Sequence, residues 1–71
     1  MSNLDDALLA AHAADDRAGL VELYTQAADQ ANAVEPTSFY LTHAYVFALE
    51  AGMVQAAALK ARLVAMGRDT E

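Results

Sequence analysis

The chain has 71 residues, no cysteine and a net charge of −6, which fits one small domain and excludes disulfide bonds, thiolate metal sites and thiol chemistry. Its residues are 56% hydrophobic, many of them alanine, and include one proline and three glycines, a composition that favours an all-α fold. Without a basic stripe to neutralise phosphates, the chain is not expected to bind nucleic acid, and its acidic surface disfavours anionic membranes.

The first predicted helix extends to about Ala14. Ser2 or Asn3 can cap it, and Asp5 and Asp6 lie in its opening turn, where carboxylates favour the positive end of the helix dipole. Apolar residues recur at spacings of three and four along one face: Leu4, Ala7, Leu8 and Ala11. This periodicity predicts an amphipathic helix that packs on one side.

A second helix is predicted over 17–31, after a break at Asp15 and Asp16. Either aspartate can accept hydrogen bonds from the free amides of this helix. Gly19 in the first turn costs about 1 kcal/mol relative to alanine, so either the cost is tolerated or a close helix contact requires the space. The inner face is expected to contain Leu20, Leu23, Tyr24, Ala27 and Ala31.

The third helix is predicted either to open with Pro36 in its first turn, where a missing amide costs nothing, or to begin after a cap at Thr37 or Ser38, and to close at Gly52. The stretch 38–52 holds four of the chain's five aromatic residues: Phe39, Tyr40, Tyr45 and Phe47. It is apolar on nearly every side, which is typical of a helix buried by several neighbours. Because 71 residues cannot enclose it fully, we expect one of its faces to remain uncovered.

The last helix is predicted from Met53 to Met66, with Gly67 as its closing residue and a polar tail over 68–71. Two apolar stripes are expected on it. One contains Leu59, Leu63 and Met66, and the other contains Val54, Ala57, Ala58, Ala61 and Val64.

An offset of 37 residues superimposes the second half of the chain on the first. Residues of similar size then coincide, and so do the two breaks: Leu4 with Leu41, Ala7 with Ala44, Ala11 with Ala48, and Asp15 with Gly52. Short breaks between helices indicate antiparallel neighbours. The sequence therefore predicts a single domain, 1–71, made of two antiparallel helical hairpins, over 2–33 and 37–67.

The segment ADDRAGLVELYTQAADQA resembles the second helix of a tetratricopeptide repeat, with Tyr24 and Ala27 at its aromatic and small positions and Pro36 closing the unit. LTHAYVFALEAGMVQAAAL is similar to the family's first helix, glycine turn and following helix, with Ala57 at the small crossing position. Some positions depart from the pattern. Leu20 replaces a small residue, Met53 replaces a capping aspartate, the first turn lacks glycine, and the offset exceeds the usual 34 or so.

This resemblance implies a right-handed stack in which the first helix of each hairpin lines a concave binding face. By position, the expected partner-binding residues are Asp5, Leu9, His12, Phe39, Thr42, Val46 and Leu49. Exposed apolar patches of this kind mark association sites. The alternative is that the chain's own termini cover this face.

His12 and His43 are the remaining candidates for chemistry, since histidine titrates near neutral pH and binds metals. They suggest a second hypothesis, a small ligand- or metal-binding domain that uses these histidines and nearby tyrosines. The plainer interpretation of His43 is a ring between helices, bonded to a carbonyl or hydroxyl, and the tyrosine hydroxyls are expected to reach solvent or a backbone acceptor.

The function that the sequence favours is a non-catalytic adaptor or regulator that holds a partner helix or peptide in an apolar groove. No cofactor, metal or catalytic residue is expected. Repeat units normally need at least about three copies to close their core, so self-association is expected, as a two-fold homodimer. Since the N-terminus lacks a basic region followed by an apolar run, the expected location is the cytoplasm.

Overall fold

The computed structural model describes residues 3–67, which form four helices. These are α1 (Asn3–Ala13), α2 (Arg17–Gln30), α3 (Val34–Glu50) and α4 (Gln55–Ala65). This part of the chain contains no strand, and the all-α prediction is confirmed for it. The predicted cap at Ser2 and the predicted tail over 68–71 lie outside the described residues.

The helices pack in the order in which they occur in the sequence. The contact between α2 and α3 is the most extensive, while α1 adds to the other side of α2 and α4 to the other side of α3. Between residues 3 and 67, no other pair of helix backbones comes into close contact. The result is a flat array of 32 × 28 × 12 Å, in which both inner helices have two neighbours and both outer helices have one.

Helix α2 is buried along a wider band than its sequence periodicity indicates. Leu20 and Ala27 are buried, and Tyr24 is half-buried, as predicted for the inner face. Val21 and Ala28, which the prediction omits, are equally buried because they belong to the core shared with α3 and α4. A helix between two neighbours has two inner faces, and a single-stripe interpretation finds only one of them.

The centre of the core is a stripe of α3 whose side chains are fully enclosed. Leu41, Ala44 and Ala48 have no exposed surface. The alanines allow close approach of the neighbouring helices, and Leu59 and Leu63 of α4 complete the cluster. The rest of α3 is less buried, which leaves its remaining aromatic and aliphatic side chains available on other faces.

Two turns with the same backbone geometry end α1 and α3. Asp15 has φ 55 and Gly52 has φ 67, so both residues adopt the left-handed conformation. The amide that follows each of them bonds back to the preceding helix, Asp16 to the Ala11 carbonyl and Met53 to the Ala48 carbonyl, both at 2.9 Å. This is the helix-closing motif expected for Gly52, and α1 forms it without a glycine.

The start of α2 explains the presence of Gly19. The Asp16 carboxylate caps the helix by accepting a hydrogen bond from the Gly19 amide, at 3.0 Å. A Cβ atom on Gly19 would overlap that same carboxylate. The Asp16 carboxylate therefore occupies the space that a side chain at position 19 would need. The sequence had suggested two other reasons for Gly19, a close contact between helices or a cost in stability that is simply tolerated.

Helix α3 starts at Val34, so the predicted start of the second hairpin at 37 is too late. Pro36 lies inside the first turn, as one of the two alternatives predicted, and its missing amide costs no helical hydrogen bond there. Neither of the two expected caps acts as one, because the hydroxyls of Thr37 and Ser38 donate to the carbonyls of Ala33 and Glu35. No side chain caps the helix at Ala33.

Helix α4 is shorter than the predicted 53–66, and it ends before Gly67, whose φ of 72 fits the expected closing position. Of its two apolar stripes, the one with Leu59 and Leu63 is buried. The other stripe faces outward, with Val54 88% exposed. None of the helices among residues 3–67 has the length and apolar character needed to span a membrane.

Candidate functional site

An aromatic cluster fills the space between α1 and α3, above α2. We define it as Tyr24 of α2, His12 of α1, and Tyr40, His43 and Phe47 of α3. The Tyr24 ring lies at its centre, with centroid distances of 5.8 Å to His12, 6.2 Å to Tyr40, 5.1 Å to His43 and 5.9 Å to Phe47. His12 also contacts Phe47 edge-on at 5.8 Å, so the cluster connects α1 to α3 where their backbones do not touch.

The Tyr24 hydroxyl is held by a side chain of α1. It shares a hydrogen bond of 2.9 Å with His12 Nε2, whereas the sequence suggested solvent or a backbone acceptor for it. Burial raises the pKa of the Tyr24 phenol above its ordinary value of 10.0, and the charge of nearby Tyr40 raises it further. The phenol is therefore protonated at neutral pH and available as a hydrogen-bond donor.

His43 has the environment that the plainer interpretation predicted. Its ring is half-buried between Tyr24 and Phe39, with a centroid distance of 4.4 Å to the Phe39 ring. Its Nδ1 donates a hydrogen bond of 2.9 Å to the Phe39 carbonyl, one turn earlier in α3. This bond fixes the ring orientation and directs its other nitrogen away from the helix backbone.

All seven predicted partner-binding residues have exposed side chains. The exposed fraction is 67% for Leu9, 56% for Phe39 and 43% for Val46. On α3 the apolar members follow one side of the helix at a spacing that a single partner helix can cover. On α1, His12 turns toward α3 through its contact with Phe47, and Asp5 and Leu9 lie on the same side of that helix.

We call the resulting surface the groove. It consists of the exposed residues Asp5, Leu9, His12, Phe39, Thr42, Val46 and Leu49, with the aromatic cluster as its floor. The sequence placed these seven residues on an exposed face, and it placed Tyr24 on the inner face of α2 without predicting its contacts with His12 and His43. The signal was present, because Tyr24 is the only aromatic residue outside the third helix.

Two adjoining depressions follow α3 within the groove. One, of about 180 Å³, is lined by Thr42, His43, Val46 and Phe47. The other, of about 330 Å³, is lined by Glu35, Ser38, Phe39, Thr42 and His43. Pockets for small molecules typically measure about 300–1,000 Å³ and enclose most of the ligand. The first depression has room for one side chain of a partner rather than for a separate ligand.

The charges near the groove are negative where α1 and α3 begin. Asp5 lines a depression of about 360 Å³ together with Pro36 and Tyr40, and Glu35 lines the neighbouring one beside Phe39. In the described part of the chain, neither lysine nor arginine lines any of these three depressions. Carboxylates therefore line the two depressions at this end of α3.

A second apolar surface lies on α4, on the side opposite Leu59 and Leu63. We call it the outer face of α4, and it contains Val54, Ala57, Ala61, Val64 and Ala65. All of these residues are exposed except Val64, which is half-buried. A shallow depression of about 400 Å³ lies along it, beside Lys60.

The metal-binding hypothesis finds no ligand set in the described residues. Although His12 and His43 both contact Tyr24, residues 3–67 contain no group of three histidine, cysteine, aspartate or glutamate side chains placed to hold an ion. Comparison of the chain with protein-family models, curated proteins and solved structures found no match in any of the three.

Proposed function

We propose that the protein is a small non-catalytic interaction module, located in the cytoplasm, that holds a helix or peptide of a partner protein in the groove. The exposed apolar stripe of α3 carries this proposal. Phe39, Val46 and Leu49 are each at least 43% exposed on the helix that also forms the centre of the core. Placing such side chains against a partner removes apolar surface from water, at about 25 cal/mol per Å².

The proposed architecture is two antiparallel hairpins stacked as in a tetratricopeptide-like repeat. The ion pair of Arg17 with Glu50, at 3.0 Å, supports the stacking by joining the first turn of α2, in one proposed hairpin, to the last turn of α3, in the other. The matching turns at Asp15 and Gly52 support an internal repeat with an offset of 37 residues. In such a stack neighbouring units contact each other, and the most extensive helix contact, α2 with α3, joins the two proposed hairpins.

The test is capture of a partner from an extract of the native host, with the wild type and two variants compared. Val46→Asp introduces a charge into the groove at an exposed position, and Ala61→Asp introduces the same charge on the outer face of α4. We expect a defined partner to be retained by the wild type and by Ala61→Asp, and lost with Val46→Asp. Equal retention by all three proteins, with equal helicity by circular dichroism, would reject the groove.

Self-association is the second part of the proposal, and the outer face of α4 supports it. Its side chains are small or β-branched, so two copies of α4 can approach closely around a two-fold axis. Ala61 lies at the middle of that face and Val54 at its start. Light scattering should show a dimer for the wild type and Val46→Asp, and a monomer for Ala61→Asp. If light scattering shows that the wild type is a monomer at high protein concentration, the proposed self-association is wrong.

The alternative, a ligand-binding domain, has one observation in its favour. His12 and Tyr24 share a hydrogen bond, and the centroid of the His43 ring lies 5.1 Å from that of the same phenol. A zinc- or copper-induced rise in melting temperature, absent in both His12→Ala and His43→Ala, would favour this alternative over the interaction module.

A further inference from the structure

The hydroxyl and imidazole side chains that line the groove along α3 offer hydrogen-bond acceptors to a partner. We propose that the groove selects a partner whose anchoring side chain is the indole of a tryptophan, and that His43 Nε2 accepts a hydrogen bond from the indole N–H. This inference rests on the proposed function and adds to it the kind of anchor and the residue that recognises it.

Each of these side chains donates its proton to a backbone carbonyl of α3. The Thr42 hydroxyl donates to the Ser38 carbonyl at 2.8 Å, and the Ser38 hydroxyl donates to the Glu35 carbonyl at 3.0 Å. His43 Nδ1 donates to the Phe39 carbonyl at 2.9 Å. A carbonyl can only accept, so this bond assigns the proton of the neutral imidazole to Nδ1 and leaves a lone pair on Nε2.

His43 lines the smaller depression of the groove, which has room for one side chain of a partner. The depression measures about 180 Å³, and Thr42, Val46 and Phe47 complete its lining. No described residue shares a hydrogen bond with His43 Nε2. Solvent reaches this atom, since residues 3–67 contain no fully buried side-chain nitrogen or oxygen that lacks a partner. The depression is therefore an apolar site with an accessible acceptor.

Electrostatic complementarity with this acceptor decides between the possible anchors. Tryptophan, lysine and arginine side chains donate hydrogen bonds without accepting any, whereas a hydroxyl brings lone pairs of its own and a carboxylate is repelled. Lysine and arginine would carry a charge against Val46 and Phe47, and removing a charge from water costs far more than one hydrogen bond returns. An indole combines one N–H donor with an aromatic body that can pack on the Phe47 ring.

A second copy of this chain does not supply this anchor. Its 71 residues include no tryptophan, and the net charge of −6 on each copy opposes the approach of another. The occupant of the groove is therefore a different protein, and self-association is left to the outer face of α4.

The first test selects random peptides displayed on phage against the wild type and Val46→Asp. We expect tryptophan to be enriched at one position among the peptides that the wild type retains, and no such enrichment with Val46→Asp. Enrichment of peptides without tryptophan would reject the indole anchor and leave the interaction module intact. No enrichment of any peptide by the wild type would reject the groove as well.

The second test isolates the indole N–H. The best selected peptide is synthesised with tryptophan, benzothienylalanine or lysine at the anchor position, where benzothienylalanine has sulfur in place of the N–H. Binding is measured by fluorescence anisotropy in mildly alkaline buffer, since histidine is charged in acid. We expect tryptophan to bind about three- to tenfold more tightly than benzothienylalanine, the contribution of one neutral hydrogen bond. Equal affinities of these two peptides, or tightest binding of the lysine peptide, would reject the inference.

Protein variants assign the acceptor. His43→Phe keeps an aromatic ring beside Tyr24 and Phe39 but removes the acceptor, so the ratio of tryptophan to benzothienylalanine affinity should fall to one. Thr42→Val is the matched control, because it removes a hydroxyl from the same depression and should leave the ratio unchanged. Loss of the ratio with Thr42→Val but not with His43→Phe would assign the hydrogen bond to the threonine. Circular dichroism checks that both variants keep the helicity of the wild type.

A measurement on the wild type does not depend on how the variants fold. The nitrogen-15 shifts of the His43 ring distinguish its protonated nitrogen from its unprotonated one. We expect a proton on Nδ1 and none on Nε2 in the free protein, and a change in the Nε2 shift with the tryptophan peptide but not with the benzothienylalanine peptide. A proton on Nε2 in the free protein, or equal changes with both peptides, would overturn the inference.

Discussion

Asp15 and Gly52 occupy equivalent places in two turns, 37 residues apart, with φ values of 55 and 67. Three backbone hydrogen bonds coincide under the same offset, including the 3.0 Å bonds from Ala14 to Ala10 and from Ala51 to Phe47. The turns differ in one respect, which is that only the second has a residue suited to a left-handed conformation. Asp15 therefore retains strain that Gly52 avoids.

Replacing Asp15 should show this strain. Asp15→Gly and Asp15→Ala both remove the exposed carboxylate, which pairs weakly with Arg17 at 3.4 Å. Only glycine relieves the left-handed backbone, so we expect Asp15→Gly to be more stable than Asp15→Ala by about 1 kcal/mol. Urea denaturation of both variants measures the difference. Equal midpoints would show that the turn carries no strain.

The effect of replacing Gly19 with alanine on stability should depend on whether Asp16 is present. In an ordinary helix, replacing glycine with alanine stabilises by about 1 kcal/mol. Here the new Cβ displaces the capping carboxylate, and losing a cap costs about 0.5–2 kcal/mol. Gly19→Ala should therefore fail to stabilise the wild type, yet stabilise the Asp16→Ala variant by about 1 kcal/mol. A double-mutant cycle from urea denaturation measures this coupling, and additive effects would contradict it.

The core and the groove should respond differently to the same truncation. Leu41 has no exposed surface and Leu49 is 56% exposed, although both lie on α3. Leu41→Ala should cost about 3 kcal/mol or more, which is much of the stability that so small a core supplies. Leu49→Ala should change the free energy of unfolding by less than about 0.5 kcal/mol. Thermal and urea denaturation of both variants test this, and similar losses would contradict the assignment of the two faces.

The Tyr24 phenol should make stability fall in alkaline solution. Its pKa is raised above 10.0 in the folded protein by burial and by Tyr40, so the native state holds this proton more tightly than the unfolded state. The contribution is fully present below pH 10.0 and is lost as the pH rises through the folded pKa. The difference in tyrosinate absorbance between wild type and Tyr24→Phe should give a midpoint above that value. A midpoint at or below it would show that the phenol is freely hydrated.

The sequence predicted the four helices of residues 3–67 because each break contains residues that interrupt a helix. Gly52 and Gly67 end their helices as expected, and Asp16 caps α2. The start of α3 was misplaced because proline is accepted equally before a helix and within its first turn. The residue pattern around Pro36 does not distinguish these two positions.

The burial of α2 could not be read from periodicity alone. Val21 and Ala28 are buried because α3 and α4 pack on a second side of the helix. The floor of the groove depends in the same way on how the helices cross, since Tyr24 meets His12 and His43 from two different helices. The exposure of the seven candidate residues was predictable, because exposed positions on α1 and α3 follow from helical spacing once the inner stripes are assigned.

Within residues 3–67, the close backbone contacts of each helix are with its sequence neighbours, and this has a consequence for folding kinetics. Little entropy of loop closure has to be overcome before native contacts form, and all-helical proteins with such local contacts fold within microseconds to milliseconds. The pairing of α2 with α3 is the most extensive, so it is the natural nucleus, onto which α1 and α4 add from opposite edges. Amide protons in the two outer helices should accordingly exchange with deuterium sooner than those of the inner pair.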